Sequence, residues 1–89
     1  MNPAQMRAVA MVSLGVLDAV EEAGTHGAPG GVLYAAMQTQ GATLQQYQSV
    51  MATMVNPGYL MLDGDCYHST EKTPELKKKL TNLLTALAS

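Results

Sequence analysis

The sequence predicts a mainly α domain with one β-hairpin, an α+β class in the order helix, helix, helix, hairpin, helix. Three observations carry that expectation. Apolar residues recur at helical spacing in four segments, each bounded by a capping residue, a proline or a glycine. One segment, Tyr59 to Ser69, breaks that period around an Asp-Gly turn signal. The composition, 47% apolar and 13% charged over 89 residues, suits a single small packed domain covering residues 1–89.

Asn2 and Pro3 open the first helix, the asparagine as cap and the proline where a missing amide costs no hydrogen bond. The helix is expected to run to Ala23 and stop at Gly24. Met6, Val9, Ser13, Leu17 and Val20 form one stripe, expected to face the core. Ala8, Met11 and Val12, with Leu14 and Val16 on the flanks, lie away from it. A helix with two apolar sides calls for two neighbours, its own core and a partner.

The glycine-rich stretch Gly24 to Gly31 reads as a loop, after which Pro29 starts a short helix carrying Val32, Leu33, Ala36 and Met37 and ending near Gly41. Thr43 is an N-cap for the third helix, with Gln46 three residues on as the capping-box partner. Leu44, Tyr47, Met51, Met54 and Val55 make its inner stripe, and Asn56-Pro57-Gly58 ends it. Tyr59 to Leu62 and Cys66 to Ser69 are strands around Asp63-Gly64-Asp65, with Leu60 and Leu62 on one face. Thr73-Pro74-Glu75 opens the last helix, striped by Leu76, Leu80, Leu83, Leu84 and Leu87. Leu44, Tyr47, Met51 and Met54 are expected to meet Leu17, Leu33 and Leu80 in one core.

Composition narrows the function classes. Seven acidic and five basic residues give a net charge of -2, without the general positive field of a nucleic-acid binder. The single Cys66 rules out an internal disulfide framework, which points to a reducing cytoplasm. The apolar run Ala8 to Val12 is too short to span a membrane and has neither the basic start nor the small-residue end of a leader, so no membrane partner is expected.

From Pro29 to Leu80 the chain resembles the winged helix-turn-helix family of small bacterial or phage-type regulators. The resemblance rests on a short helix, a glycine turn, a second helix and then NPGYLMLDGDCYHSTEKTPELKKKL. Gly58, Tyr59 to Leu62, Asp63 to Asp65, Tyr67 and Thr70 to Lys72 stand where such regulators have a helix-ending glycine, an apolar strand, a wing, a tyrosine strand and a threonine-lysine turn. The resemblance implies that residues 43–56 are a recognition helix for the major groove, with Gln45, Gln46, Ser49, Ala52 and Thr53 exposed to read base edges. It also implies pairing through the terminal helices, here Pro3 to Ala23 and Pro74 to Ala88.

Charge then separates two functions. The third helix has no Lys or Arg and the wing tip carries Asp63 and Asp65, whereas phosphate contacts call for several cations. The expected function is therefore a non-catalytic regulatory module that binds protein, including a second copy of itself, with an unidentified protein partner. The alternative is a transcriptional regulator bound to double-stranded DNA through Gln45, Gln46, Ser49 and Thr53. Four of the five cations, Lys72, Lys77, Lys78 and Lys79, cluster at the start of the last helix. Lys77, Lys78 and Lys79 are the candidate phosphate or partner contacts, against the plainer reading of a solvated helix face. The candidate dimer interface comprises Ala8, Met11, Val12, Leu84 and Leu87.

No catalytic, metal or cofactor site is expected. Cys66, His68 and His26 lie on separate segments, short of the three or four converging ligands of a zinc site. Asp63-Gly64-Asp65 begins like a calcium loop, but its twelfth position is Pro74. Gly27, Gly30 and Gly31 lack the preceding strand and following Gly-Lys-Ser of a phosphate cradle. Ser13, Ser49 and Ser69 have no histidine and acid around them. Met37, Met51, Met54 and Met61 read as core filler, with a pliable binding surface as the other possibility.

Overall fold

The computed structural model describes residues 2–88. Four helices, α1 (Pro3–Ala23), α2 (Gly30–Gln38), α3 (Leu44–Val55) and α4 (Thr73–Ala88), surround a small sheet of β1 (Ala28–Pro29), β2 (Leu60–Asp63) and β3 (Cys66–Ser69). The sheet is antiparallel with strand order β1-β3-β2, Ala28 paired with Tyr67 and Leu62 with Tyr67 from the other side. The class is α+β, mainly helical. The α1, α3, hairpin and α4 segments fall where the sequence places them.

Capping explains those boundaries. The Asn2 side chain accepts the Gln5 amide at 2.8 Å while Gln5 accepts the Asn2 amide, a reciprocal box. Thr43 and Gln46 repeat the arrangement at the start of α3, at 3.1 and 2.9 Å. In the hairpin, only Gly64 takes a positive φ, 60°, and no non-glycine residue does, so Asp65 turns the chain with ordinary backbone angles. A positive first central residue is what a tight two-residue hairpin requires.

The third strand is the departure from expectation. Pro29 belongs to β1 and precedes α2 instead of starting it. Two residues carry no periodicity of their own; they are extended because β3 pairs with them. Pro29 is tolerated because β1 is an edge, where a missing amide breaks no ladder. Before β1, Gly27 lies so close to His68 that an added Cβ would come within 2.6 Å of its ring.

One core joins Val16, Leu17 and Val20 of α1 to Leu33 and Met37 of α2, Tyr47, Met51 and Met54 of α3, and Leu60 of β2. Four expected core residues stand out of it, of which Met6 is half-buried. Val9 and Leu44, 39% and 49% exposed, sit in the opening turns of their helices. Leu62 is 48% exposed although it shares a sheet face with buried Leu60, because it approaches the hairpin tip where nothing covers the sheet. Conversely Val16, expected on the outer flank of α1, is buried among the core residues. Leu80 packs on the core but is only half-buried, as are the other leucines of α4.

Among the described residues no helix is long and apolar enough to cross a membrane.

Candidate functional site

The side chains named as candidates fall into two regions. The first is a groove of about 900 Å³ between the first half of α1 and α3. Ala8, Val9, Met11 and Val12 form one wall, and Gln45, Gln46, Ser49, Val50 and Thr53 form the other. The α2–α3 turn, with Gln40, Gly41 and Ala42, closes one end over Met37. Three of the expected dimer residues and all four α3 candidates therefore share one surface. The sequence shows two separate faces, and only tertiary packing makes them opposing walls.

Chemically the groove is mostly apolar, and no Asp, Glu, Lys or Arg is among its described lining residues. Met11 is 54% exposed and Val9 39%, while Val12 and Val50 are half-buried at its floor. Its polar groups are partly committed. Gln46 Oε1 accepts the Thr43 amide, and Thr53 Oγ1 donates to the Val50 carbonyl at 2.6 Å. Ser49 and Gln45 are exposed at the rim. Leu84 and Leu87 are absent from the lining, so the structure does not unite the five expected dimer residues.

The second region lies where α4 begins. Its lysines do not form one patch. Lys77 Nζ is held by Asp18 at 2.8 Å and Glu21 at 2.6 Å, which ties α4 to the end of α1. Asp18 first and Glu21 second raise the Lys77 ammonium above its ordinary value. Lys79 reaches Glu75 at 3.3 Å and donates to the Tyr59 hydroxyl at 3.2 Å, which with Glu75 pushes Lys79 upward too. Tyr59 also lies under the Lys72 ammonium, 5.0 Å from its ring centre. Lys78 is exposed and in no described ion pair.

The same region contains a polar lock that sequence reading missed. Three successive carbonyls after α3 each receive a donor: Pro57 from Lys72 Nζ at 2.6 Å, Gly58 from Thr70 Oγ1 at 2.7 Å, and Tyr59 from Thr73 Oγ1 at 2.7 Å. Thr73 is fully buried and also accepts the Thr70 amide at 2.8 Å. These groups satisfy the carbonyls of the turn that follows α3, while the Asn56, Gly58 and Tyr59 amides take the helix's own Ala52, Val55 and Met54 carbonyls. The threonine-lysine turn was the available signal.

A smaller cleft of about 460 Å³ lies between the start of α2 and the hairpin, lined by Tyr34, Tyr47 and Tyr67. Tyr47 donates to the Gly30 carbonyl at 3.0 Å, and its phenol is raised well above its ordinary value by burial and by neighbouring Tyr67. Among the described residues no three His, Cys, Asp or Glu side chains gather as a metal site. Cys66 and His68 point to the sheet face opposite Tyr67, as alternation requires.

No protein-family model, curated protein or solved structure matches this chain.

Proposed function

We propose that this chain is a non-catalytic winged-helix regulatory module that works by binding protein through the groove between α1 and α3. The element order and the β1-β3-β2 sheet, with β2 and β3 as the wing, support the winged-helix part of the reading. The groove's neutrality carries the functional part. A surface of this size, with an apolar α1 wall facing an uncharged Gln/Ser/Thr wall on α3, is poorly suited to phosphate and suited to a partner helix with an apolar face and uncharged polar margins. Of the lysines that a DNA reading needs, Lys77 and Lys79 are engaged with Asp18, Glu21, Glu75 and Tyr59 instead.

The second reading, a DNA-binding regulator, has one observation in its favour. Gln45, Ser49, Ala52 and Thr53 are all exposed on one side of α3. The two are separated by a mixed-sequence DNA duplex and a model amphipathic helix with a Leu/Ala face and uncharged margins. The helix is expected to shift amide resonances of Met11, Val12, Val50 and Thr53, and Val50→Asp to abolish the response. Micromolar retention of the duplex, weakening steeply with salt and lost in Lys77→Ala/Lys78→Ala/Lys79→Ala, would replace the proposal with the DNA reading.

A further inference from the structure

Three of the four tyrosines, in a chain without Phe or Trp, line the cleft of about 460 Å³ between the start of α2 and the hairpin. Their rings are fixed from within the fold. Tyr47 is buried and donates to the Gly30 carbonyl at 3.0 Å, and the Tyr34 ring packs against it, tilted, with centroids 5.2 Å apart. Gly30 separates Tyr47 from Tyr67: a Cβ there would come within 3.3 Å of the Tyr67 ring and 3.4 Å of the Tyr47 hydroxyl. Tyr34 and Tyr67 are only half-buried, so each keeps ring surface open. The Tyr34 hydroxyl accepts from Gln38 Nε2 at 3.1 Å, which leaves its own proton for an outside acceptor. Leu62 joins the lining although it is 48% exposed. Asp65 is exposed at the rim; it is in no described ion pair, and no Lys or Arg is among the described lining residues.

We infer that this cleft binds a proline-rich segment of another protein in the polyproline II conformation, with a lysine or arginine of that segment against Asp65. The site is separate from the α1–α3 groove, and the inference goes beyond the reading given for that groove. The chemistry of the occupant matches the lining in three respects. Proline rings are apolar and flat enough to lie on phenol faces, and fixed tyrosines bind them with little side-chain ordering. A polyproline II segment has no internal hydrogen bonds, so its carbonyls stand free and need donors, whereas its prolines have no amide to satisfy. The Tyr34 hydroxyl is such a donor, and the Pro29 cap of α2 has no side chain to accept the Gly31 amide at the cleft wall. A helical ligand has its carbonyls bonded internally and offers those donors nothing. Charge completes the match: Asp65 favours a cationic residue beside the prolines and repels the phosphates or carboxylates that a helix start would otherwise attract.

Titration of the full chain with synthetic peptides, followed by amide resonances, tests this, with melting recorded for every variant. The probes are an oligoproline with one arginine at its end, the same oligoproline with glutamate there, and a Gly/Ser peptide with the arginine. The arginine oligoproline is expected to shift Gly31, Tyr34, Leu62 and Tyr67 saturably, the glutamate form to bind more weakly, and the Gly/Ser peptide to leave them in place. Tyr34→Ala is expected to abolish the response. Asp65→Lys is expected to raise the dissociation constant for the arginine oligoproline about fivefold, less so at high salt. Asp65 is exposed, so this variant tests the site even if Tyr34→Ala perturbs the fold. No response to either oligoproline up to millimolar concentration, an equal response to the Gly/Ser peptide, or an affinity unchanged by Asp65→Lys would each overturn the inference. Val50→Asp, which removes groove binding, is expected to bind the arginine oligoproline as the wild type does, so either proposal can fail while the other stands.

Discussion

The two ends of α1 are finished in opposite ways. At its carboxyl end, beside the start of α4, charges and carbonyls are answered from within the chain. Asp18 and Glu21 hold Lys77, and Thr70, Lys72 and Thr73 cap the turn after α3. At its amino end, α1 and α3 form a mostly apolar groove with no Asp, Glu, Lys or Arg among its described lining residues. The difference teaches where to look for function. Polar groups paired with one another already have their work in the fold, whereas an apolar surface left open is available for work between molecules. The lysine cluster looks functional in the sequence, yet Lys77 and Lys79 are engaged within the chain; the quiet helices look structural and line the candidate site.

The largest effect is expected where both ends depend on the same side chain. Leu17, fully buried in α1, belongs to the shared core, and Leu17→Ala should cost about 2 to 5 kcal/mol in chemical denaturation. For so small a domain, whose whole stability is of order 5 to 15 kcal/mol, that should also empty the groove of its ordered walls. A loss under 1 kcal/mol would mean that the ends do not share a core.

Breaking only the locked end should cost less. Thr73→Val keeps the shape of the side chain but removes its bonds to Tyr59 and Thr70 in a fully buried position. A loss of about 1 to 3 kcal/mol is expected, with resonances of the groove unchanged. Spread of the perturbation to Val50 and Met11 would show that the two ends are coupled.

In the middle of α1, Gly15→Ala should stabilise the protein by about 0.5 to 1 kcal/mol, since the new methyl group meets no neighbour. Urea denaturation measures it, and destabilisation would reveal an intrachain role for the glycine. The smallest effect is reserved for Lys77→Met, which removes two partly exposed ion pairs. Its deficit has a distinctive pH dependence. The folded lysine is held above its ordinary value near 10.5, so its contribution is complete below that pH and fades as pH rises through the folded-state value. Wild-type and Lys77→Met melting temperatures should therefore converge in alkaline buffer. A gap that stays constant above pH 10.5 would assign the effect to packing of the lysine stem.

How much of this was legible in the sequence depended on how local the cause was. The capping box of α3 could be read because Thr43 and Gln46 lie three residues apart, and at α1 the Asn2 cap was read but not its Gln5 partner. The hairpin could be read because Gly64 answers a steric demand of its own turn. β1 could not, since Ala28 and Pro29 are extended through pairing with residues far along the chain. The stripes of α1 and α3 identified Leu17, Tyr47, Met51 and Met54, but periodicity does not say where a neighbouring element ends. It therefore overstated Val9 and Leu44 and placed Val16 on the wrong side. The residue types of the candidate site were visible as well. What was hidden was their union, because the angle between α1 and α3 is set by the core beneath them.

The lock after α3 also bears on the route by which the chain folds. Its bonds join residues 12 to 15 positions apart, spanning the hairpin, whereas the Lys77–Glu21 contact closes a separation of 56. Loop closure costs more entropy as the loop lengthens, though only slowly, and short-range contacts form sooner. The segment from Pro57 to Thr73 can thus organise as a unit before the terminal helices meet. Docking of α4 along α1 is then the long-range event that completes the molecule. In hydrogen exchange, the later turns of α4, whose leucines are only half-buried, should open at lower free energy than α1, which carries the fully buried Leu17 and Val20.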